Sequence, residues 1–209
     1  TGMRYATAQI YRLATTADFP YHACGAQQDN TTVCVSSEPG HLRNPRGVSA
    51  EWMYSVGGGE RGYVAPHPTD PDIVYVGVMG PAWSDGQERG LYRTRDGGRT
   101  WDRVLWQNER TGIADLVMDP SNPDKLFAAM WEFRRTPWDL TSGGPGSGLF
   151  VTYNGGDAWT QLSADDGLPE GELGRIGLAI APSNPDVVYA IVEATQSALI
   201  RSADGGRTW

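Results

Sequence analysis

Short apolar runs alternate with turn residues along most of the chain, and no stretch carries the 3.6-residue apolar stripe of an amphipathic helix. Reading strands between the turn signals gives four successive units. The first has strands at 10–14, 22–27, 32–36 and 51–56, and the second at 62–65, 73–79, 90–94 and 101–106. The third has strands at 114–118, 126–131, 148–152 and 159–162, and the fourth at 176–181, 187–192 and 198–202. Unit boundaries fall at 1–61, 62–112, 113–172 and 173–209.

Two interleaved motifs repeat through this pattern. The first, [ST]-x-[DN]-G-G-x-x-W, runs Thr94 to Trp101, Thr152 to Trp159 and Ser202 to Trp209, so its copies start 58 and 50 residues apart. The second is a Pro/Asn/Asp turn feeding an apolar strand, at His67-Pro68-Thr69-Asp70-Pro71-Asp72, Asp119-Pro120-Ser121-Asn122-Pro123-Asp124 and Ala181-Pro182-Ser183-Asn184-Pro185-Asp186. A period near 50 residues with two turns fixed per period predicts an all-β protein, a β-propeller of four-stranded antiparallel blades. The third box ends on Trp209, where a closing strand is due. The fourth unit is therefore expected to be incomplete, and the four blades part of a larger ring.

The residue types of the box suit a turn. The hydroxyl of Thr94, Thr152 or Ser202 and the side chain of Asp96, Asn154 or Asp204 can accept hydrogen bonds from turn amides. The glycines ending at Gly98, Gly156 and Gly206 take positive φ, and Trp101, Trp159 and Trp209 cover the turn. These residues are read as structural, because they recur whatever the activity.

Composition narrows the function classes. The formal charge of −8 argues against nucleic acid, whose phosphates call for clustered Lys and Arg. No run approaches the roughly 18 apolar residues of a membrane span. His22, His41 and His67 lack metal-ligand spacing, and Gly57-Gly58-Gly59 lacks the Lys-Ser/Thr of a phosphate loop, so neither a metal nor a cofactor is implied. Cys24 and Cys34 flank a turn around Gln28-Asp29-Asn30, and a hairpin centred on Asp29 places them opposite each other. Two readings follow: a disulfide, which favours an extracellular, periplasmic or cell-surface setting, or two buried free thiols.

On its boxes and Pro-Ser-Asn-Pro-Asp strands, from about His67 onward, the chain resembles the Asp-box, or bacterial neuraminidase repeat, propellers. It is most similar to sortilin-type propellers and to large bacterial proteins labelled glycosyl hydrolases. The segments 19–30 and 56–60 look like a further blade of the same bacterial group. Sialidases share the boxes, but Arg134, Arg135 and Arg175 do not stand in the context of their arginine triad. Xyloglucanase-type hydrolases are closer. The resemblance implies a glycine-rich segment and His-Pro-Thr-x-Pro, matched at Gly57 to Gly59 and His67 to Pro71, then a strand ending in a catalytic acid. Here that strand continues Val76-Gly77-Val78-Met79-Gly80, without the acid. An inverting glycosidase needs two carboxyl groups about 6.5–9.5 Å apart.

Asp29 and Glu60 are the candidate catalytic carboxylates, with Asp115, Glu132 and Glu193 also near strand ends or glycine-rich turns. Trp83, Trp131 and Trp138 lie in or beside two long insertions, 81–89 and 134–147, and are candidates to stack on a ligand. The second insertion reads as too rich in Gly and Pro for regular structure. A full set of structural repeats beside an incomplete catalytic set favours a binding or scaffold module for a protein or polysaccharide ligand. The alternatives are a secreted xyloglucanase-like hydrolase of β-linked glucans, or a structural subunit that oligomerises through open blade edges.

Overall fold

Strand pairing follows the spacing of the turns. The computed structural model describes residues 9–28, 32–38, 53–57 and 62–209. Among these residues four antiparallel sheets follow one another. The first is β1 (Ile10–Thr15), β2 (His22–Gln27), β3 (Thr32–Ser36) and β4 (Met53–Gly57), and the second is β5 (Tyr63–Pro66), β6 (Val74–Val78), β7 (Gly90–Thr94) and β8 (Asp102–Leu105). The third joins β9 (Thr111–Asp119), β10 (Asn122–Arg135), β12 (Gly148–Thr152) and β13 (Thr160–Gln161), with β11 (Leu140–Ser142) on the far half of β10. The fourth holds β14 (Leu173–Ile180), β15 (Val188–Ala194) and β16 (Ala198–Ser202).

The second insertion departs from the sequence reading. Instead of turning at 131, β10 runs on to Arg135, and Phe133, Arg134 and Arg135 pair with Ser142, Thr141 and Leu140 of β11. The ladder is made by main-chain groups, which the Gly/Pro content of the flanking 143–147 segment does not prevent. The insertion is thus a β-arm projecting from the third sheet.

The second and third sheets each pack against a neighbour on both faces. Val74, Val76 and Val78 pack on Cys24 and Cys34 of the first sheet, and those two cysteines form a disulfide across a ladder pair with Cα atoms 4.0 Å apart. Leu91, Ile113, Leu126 and Met130 fill the seam between the second and third sheets; Phe127, Leu149, Ile176 and Val188 fill the next. A fully buried Leu, Ile, Phe or Val contributes about 1.5–3 kcal/mol. Gly77 sits where a Cβ would lie 2.6 Å from Ile113 Cγ2, so its missing side chain lets β9 lie close on β6. Ladder register makes Tyr189, Ile191 and Leu199 the counterparts of Phe127, Ala129 and Leu149. The first three are 40%, 63% and 71% exposed, whereas their counterparts are fully buried.

The boxes fold as their residues suggest, and they also join sheets. In each, the hydroxyl accepts from the second glycine amide: Gly98 N to Thr94 Oγ1 at 2.9 Å, Gly156 N to Thr152 Oγ1 at 3.0 Å, Gly206 N to Ser202 Oγ at 2.8 Å. Asp96, Asn154 and Asp204 accept from the amides of Thr100, Ala158 and Thr208. Both glycines of every box take positive φ. Sheet-to-sheet contacts run through the same turns. Tyr75 Oη donates to the Gly155 carbonyl at 2.8 Å, Arg93 donates to that carbonyl as well, and Arg93 pairs with Asp157 at 2.7 Å. Phe127 meets Trp209 edge to face, with ring centroids 6.1 Å apart.

The amide of Thr100, then its hydroxyl, hold the Asp96 carboxyl at about 2 against an ordinary 3.8, and Thr208 likewise pushes Asp204 down. A group whose folded pKa is depressed stabilises fully above its unfolded value, and that stability is lost as pH falls through the window. Asp96→Ala is expected to lower the melting temperature by several degrees at neutral pH. Asp96→Asn, the residue type found at 154, is expected to cost less and to flatten the loss of stability between about pH 4 and 2. Thermal melts of the three proteins across that range check both outcomes.

Candidate functional site

Backbone pairing sorts the connections into two ends. Gly97, Gly155 and Gly205 donate to the carbonyls of Asp72, Asp124 and Asp186, so in each of the last three sheets the box and the Pro/Asp turn share one end. The other end carries the 79–89 and 134–147 connections and the 106–110 and 162–172 links between sheets. Nothing in the repeat fixes this second end, and both insertions lie there.

The insertions hold each other. Arg135 N donates to the Ala82 carbonyl at 2.8 Å and Arg134 pairs with Asp85 at 2.9 Å, while Gly86 N ties the first insertion to the 106–110 link through the Glu109 carbonyl at 2.9 Å. At their root is Arg89, fully buried, whose guanidinium donates to the carbonyls of Met79 (2.8 Å), Pro81 and Ser84 (3.2 Å) and lies 4.6 Å from the Phe133 ring centroid. Burial lowers the Arg89 pKa. A cation surrounded by carbonyl dipoles and an aromatic face satisfies much of its hydrogen-bonding need without a carboxylate.

Among the tryptophans, Trp83 is 60% and Trp138 85% exposed at this end, and the Arg135 guanidinium lies 5.7 Å from the Trp83 ring centroid. Trp131 is placed differently. It is buried, stacked on Phe133 with centroids 4.3 Å apart and approached by Arg175 at 5.4 Å, and its Nε1 donates to Ser142 Oγ. Its ring supports its neighbours and offers no free stacking face.

The carboxylates differ as sharply. Asp29 and Glu60 lie outside the described residues. Asp115 is buried and saturated: it accepts from Arg12 Nη1 and from the amides of Leu116 and Leu178, each at 2.9 Å, binding the first, third and fourth sheets together. Glu132 is buried, accepts from Gly146 N at 3.0 Å and faces Arg110 at 3.5 Å. Glu193 is exposed and lines a cleft of about 390 Å³ with Arg12, Tyr63, Asp115 and Arg175. A second cleft of about 430 Å³ opens between Gly144–Ser147 and Gln161–Leu173. In the sequence Glu193 is one acid among several. Ser142 and Arg175, which hold it, carried no local signal, because they meet it from 51 and 18 residues away. Among the described residues no group of three or more metal-ligating side chains comes together, and no helix is long and apolar enough to cross a membrane.

No family model matches the chain. A Paenibacillus protein named xyloglucanase is 27% identical over 129 residues, covering 57% of this chain and 12% of that protein. Solved structures share the fold. A crystal structure of an ancestral GH74 enzyme aligns with TM-score 0.59 and 19% identity, over 98% of this chain and 25% of that one. The GH74 xyloglucanase from Xanthomonas campestris aligns with TM-score 0.60 and 19% identity over 90% and 27%, and the Niastella koreensis GH74 enzyme with 0.58 and 17% over 90% and 27%. The chain therefore spans about a quarter of the length of these solved chains and about an eighth of the curated relative.

Arg89 gives a direct test of how the insertion-bearing end is built. Arg89→Ala removes donors from three carbonyls and is expected to cost about 3 kcal/mol. Urea unfolding should show the loss, and limited proteolysis should cut within 81–89 at protease levels that leave the parent chain intact.

Proposed function

We propose that this chain is part of a β-propeller glycoside hydrolase of the GH74 kind, acting on β-linked glucans, and that its insertion-bearing end forms a wall of the glucan-binding cleft. One observation carries the reading: a fold shared with GH74 enzymes over 90–98% of this chain, on which the two exposed insertion tryptophans, Trp83 and Trp138, occupy the same end. Exposed indole faces on a fixed scaffold suit the apolar faces of sugar rings. The Cys24–Cys34 bridge supports an oxidising, exported setting. The sheets are taken as blades of a larger ring, with the boxes as its structural turns.

Asp29 and Glu60 are the proposed acids, following β2 and β4 in sequence. A binding module without hydrolysis is the second reading, and one observation favours it. Asp115 and Glu132 are each held by protein donors, so these two do not form a pair of free acids.

Two measurements separate the readings. In affinity electrophoresis through xyloglucan the chain is expected to be retarded, with Trp138→Ala and Trp83→Ala each weakening retention by roughly fivefold to tenfold, about 1 kcal/mol or slightly more. Incubation with xyloglucan is expected to release reducing ends, and Asp29→Ala or Glu60→Ala to abolish the release. Retardation without reducing ends would establish the binding module, and the absence of both would end the glucan reading.

A further inference from the structure

The cleft lined by residues of β1, β5, β9, β14 and β15 contains, besides the fully held Asp115, a carboxylate that is pinned through one oxygen only. Glu193 Oε2 accepts from Ser142 Oγ at 2.6 Å and from the Arg175 amide at 2.8 Å, and Ser142 Oγ itself accepts from Trp131 Nε1 at 2.9 Å. The chain of donors runs from the buried indole of the third sheet through the β-arm to the fourth sheet. Gly174 lies where a Cβ would come within 2.5 Å of Glu193 Oε2, so the backbone closes on that oxygen. The other oxygen, Oε1, has no hydrogen-bond partner among the described residues. A solvated surface glutamate keeps both oxygens in water and its rotamers free. Here two donors and a backbone contact fix one oxygen and leave the second without a protein partner among the described residues, on a side chain that lines a cleft of about 390 Å³, within the usual range for small-ligand sites.

The surroundings define what that oxygen could meet. The guanidinium of Arg175 lies 5.4 Å from the Trp131 ring centroid and pairs with no carboxylate among the described residues, so its donors stay available. Arg12 lies over the Tyr63 ring at 4.7 Å but is committed to Asp115. Ile176 and Ile191 supply apolar lining. One fixed acceptor, one cation with spare donors and apolar walls match adjacent hydroxyls on a sugar ring, which both donate and accept. A purely anionic ligand would gain from Arg175 but would face the Glu193 charge.

We infer that Glu193 and Arg175 form a saccharide subsite in this cleft, with Glu193 Oε1 accepting from one ring hydroxyl and the Arg175 guanidinium donating to its neighbour. The inference rests on the glucan reading above and assigns Glu193 a binding role, distinct from the stacking of Trp83 and Trp138. The β-arm is then more than a wall, since its Ser142 sets the orientation of the acceptor.

Glu193→Gln tests this with little change of shape. Ser142 Oγ and the Arg175 amide both donate, so they select the amide oxygen of the new side chain and turn its NH2 into the cleft. The substitution keeps the scaffold bonds while converting the acceptor into a donor. Calorimetric titration of the chain with cellotetraose is expected to show affinity reduced roughly tenfold or more in Glu193→Gln, with an unchanged melting temperature, the loss of one charge-assisted hydrogen bond and its replacement by facing donors. Arg175→Ala, which leaves the backbone amide in place, is expected to reduce it several-fold and serves if Glu193→Gln does not fold. Unchanged affinity in both variants, with Trp138→Ala still impaired, would overturn the subsite and leave the glucan reading standing. Failure of the parent chain to bind cellotetraose or xyloglucan would overturn both. Tighter binding of tetragalacturonate than of cellotetraose by the parent chain would mark an anion site and likewise overturn the inference.

Discussion

A small β-sheet with apolar residues on both faces has no stable place in water unless another sheet lies on each side. The middle two sheets meet this requirement by stacking on their sequence neighbours, and most other features follow from it. The repeat period is the length of chain needed to build one sheet and return to the start of the next. Small residues such as Gly77 stand where adjacent strands approach, and larger ones such as Ile113 fill the gap they leave. The turns at one end carry polar side chains that reach the adjacent sheet, as Tyr75 and Arg93 reach Gly155.

This arrangement separates the two ends of the molecule by task. At the box end, hydroxyls, carboxylates and glycines are consumed in holding turns and seams, so little chemistry is left over for a ligand. At the opposite end the connections need only join strand tips, and chain length there is cheap in free energy, since closure entropy grows slowly with loop size. The insertions could therefore acquire their own internal supports, Arg89 among carbonyls and the β10–β11 ladder, without disturbing the sheets. Rigid support under exposed side chains is what a recognition surface requires.

Much of the architecture was legible because it is written locally. Strand positions followed from apolar runs between Pro, Gly, Asn and Asp, and the box announced its own turn through residues within eight positions of one another. The Cys24 to Cys34 pairing could be posed from hairpin symmetry. What stayed hidden depended on distant partners. The strand in the second insertion forms because β10 offers it main-chain groups, which composition does not encode. Trp131 looked like Trp138 in sequence, yet the first is covered by Phe133 and Arg175 and the second projects from a turn. Asp115 read as one acid among several, and only the fold shows that Arg12, 103 residues away, neutralises it.

That long-range pair has a consequence for how the molecule comes apart. Packing is chiefly between sheets adjacent in sequence. A stack held by neighbour contacts alone behaves as a one-dimensional array, in which terminal members fray while the middle survives. The Asp115 carboxylate breaks that pattern by accepting from Arg12 of the first sheet and Leu178 of the fourth at once. Detaching either outer sheet leaves a buried charge less satisfied, so loss at one extremity is felt at the other, and a chain built from repeats is drawn toward unfolding as a single cooperative unit.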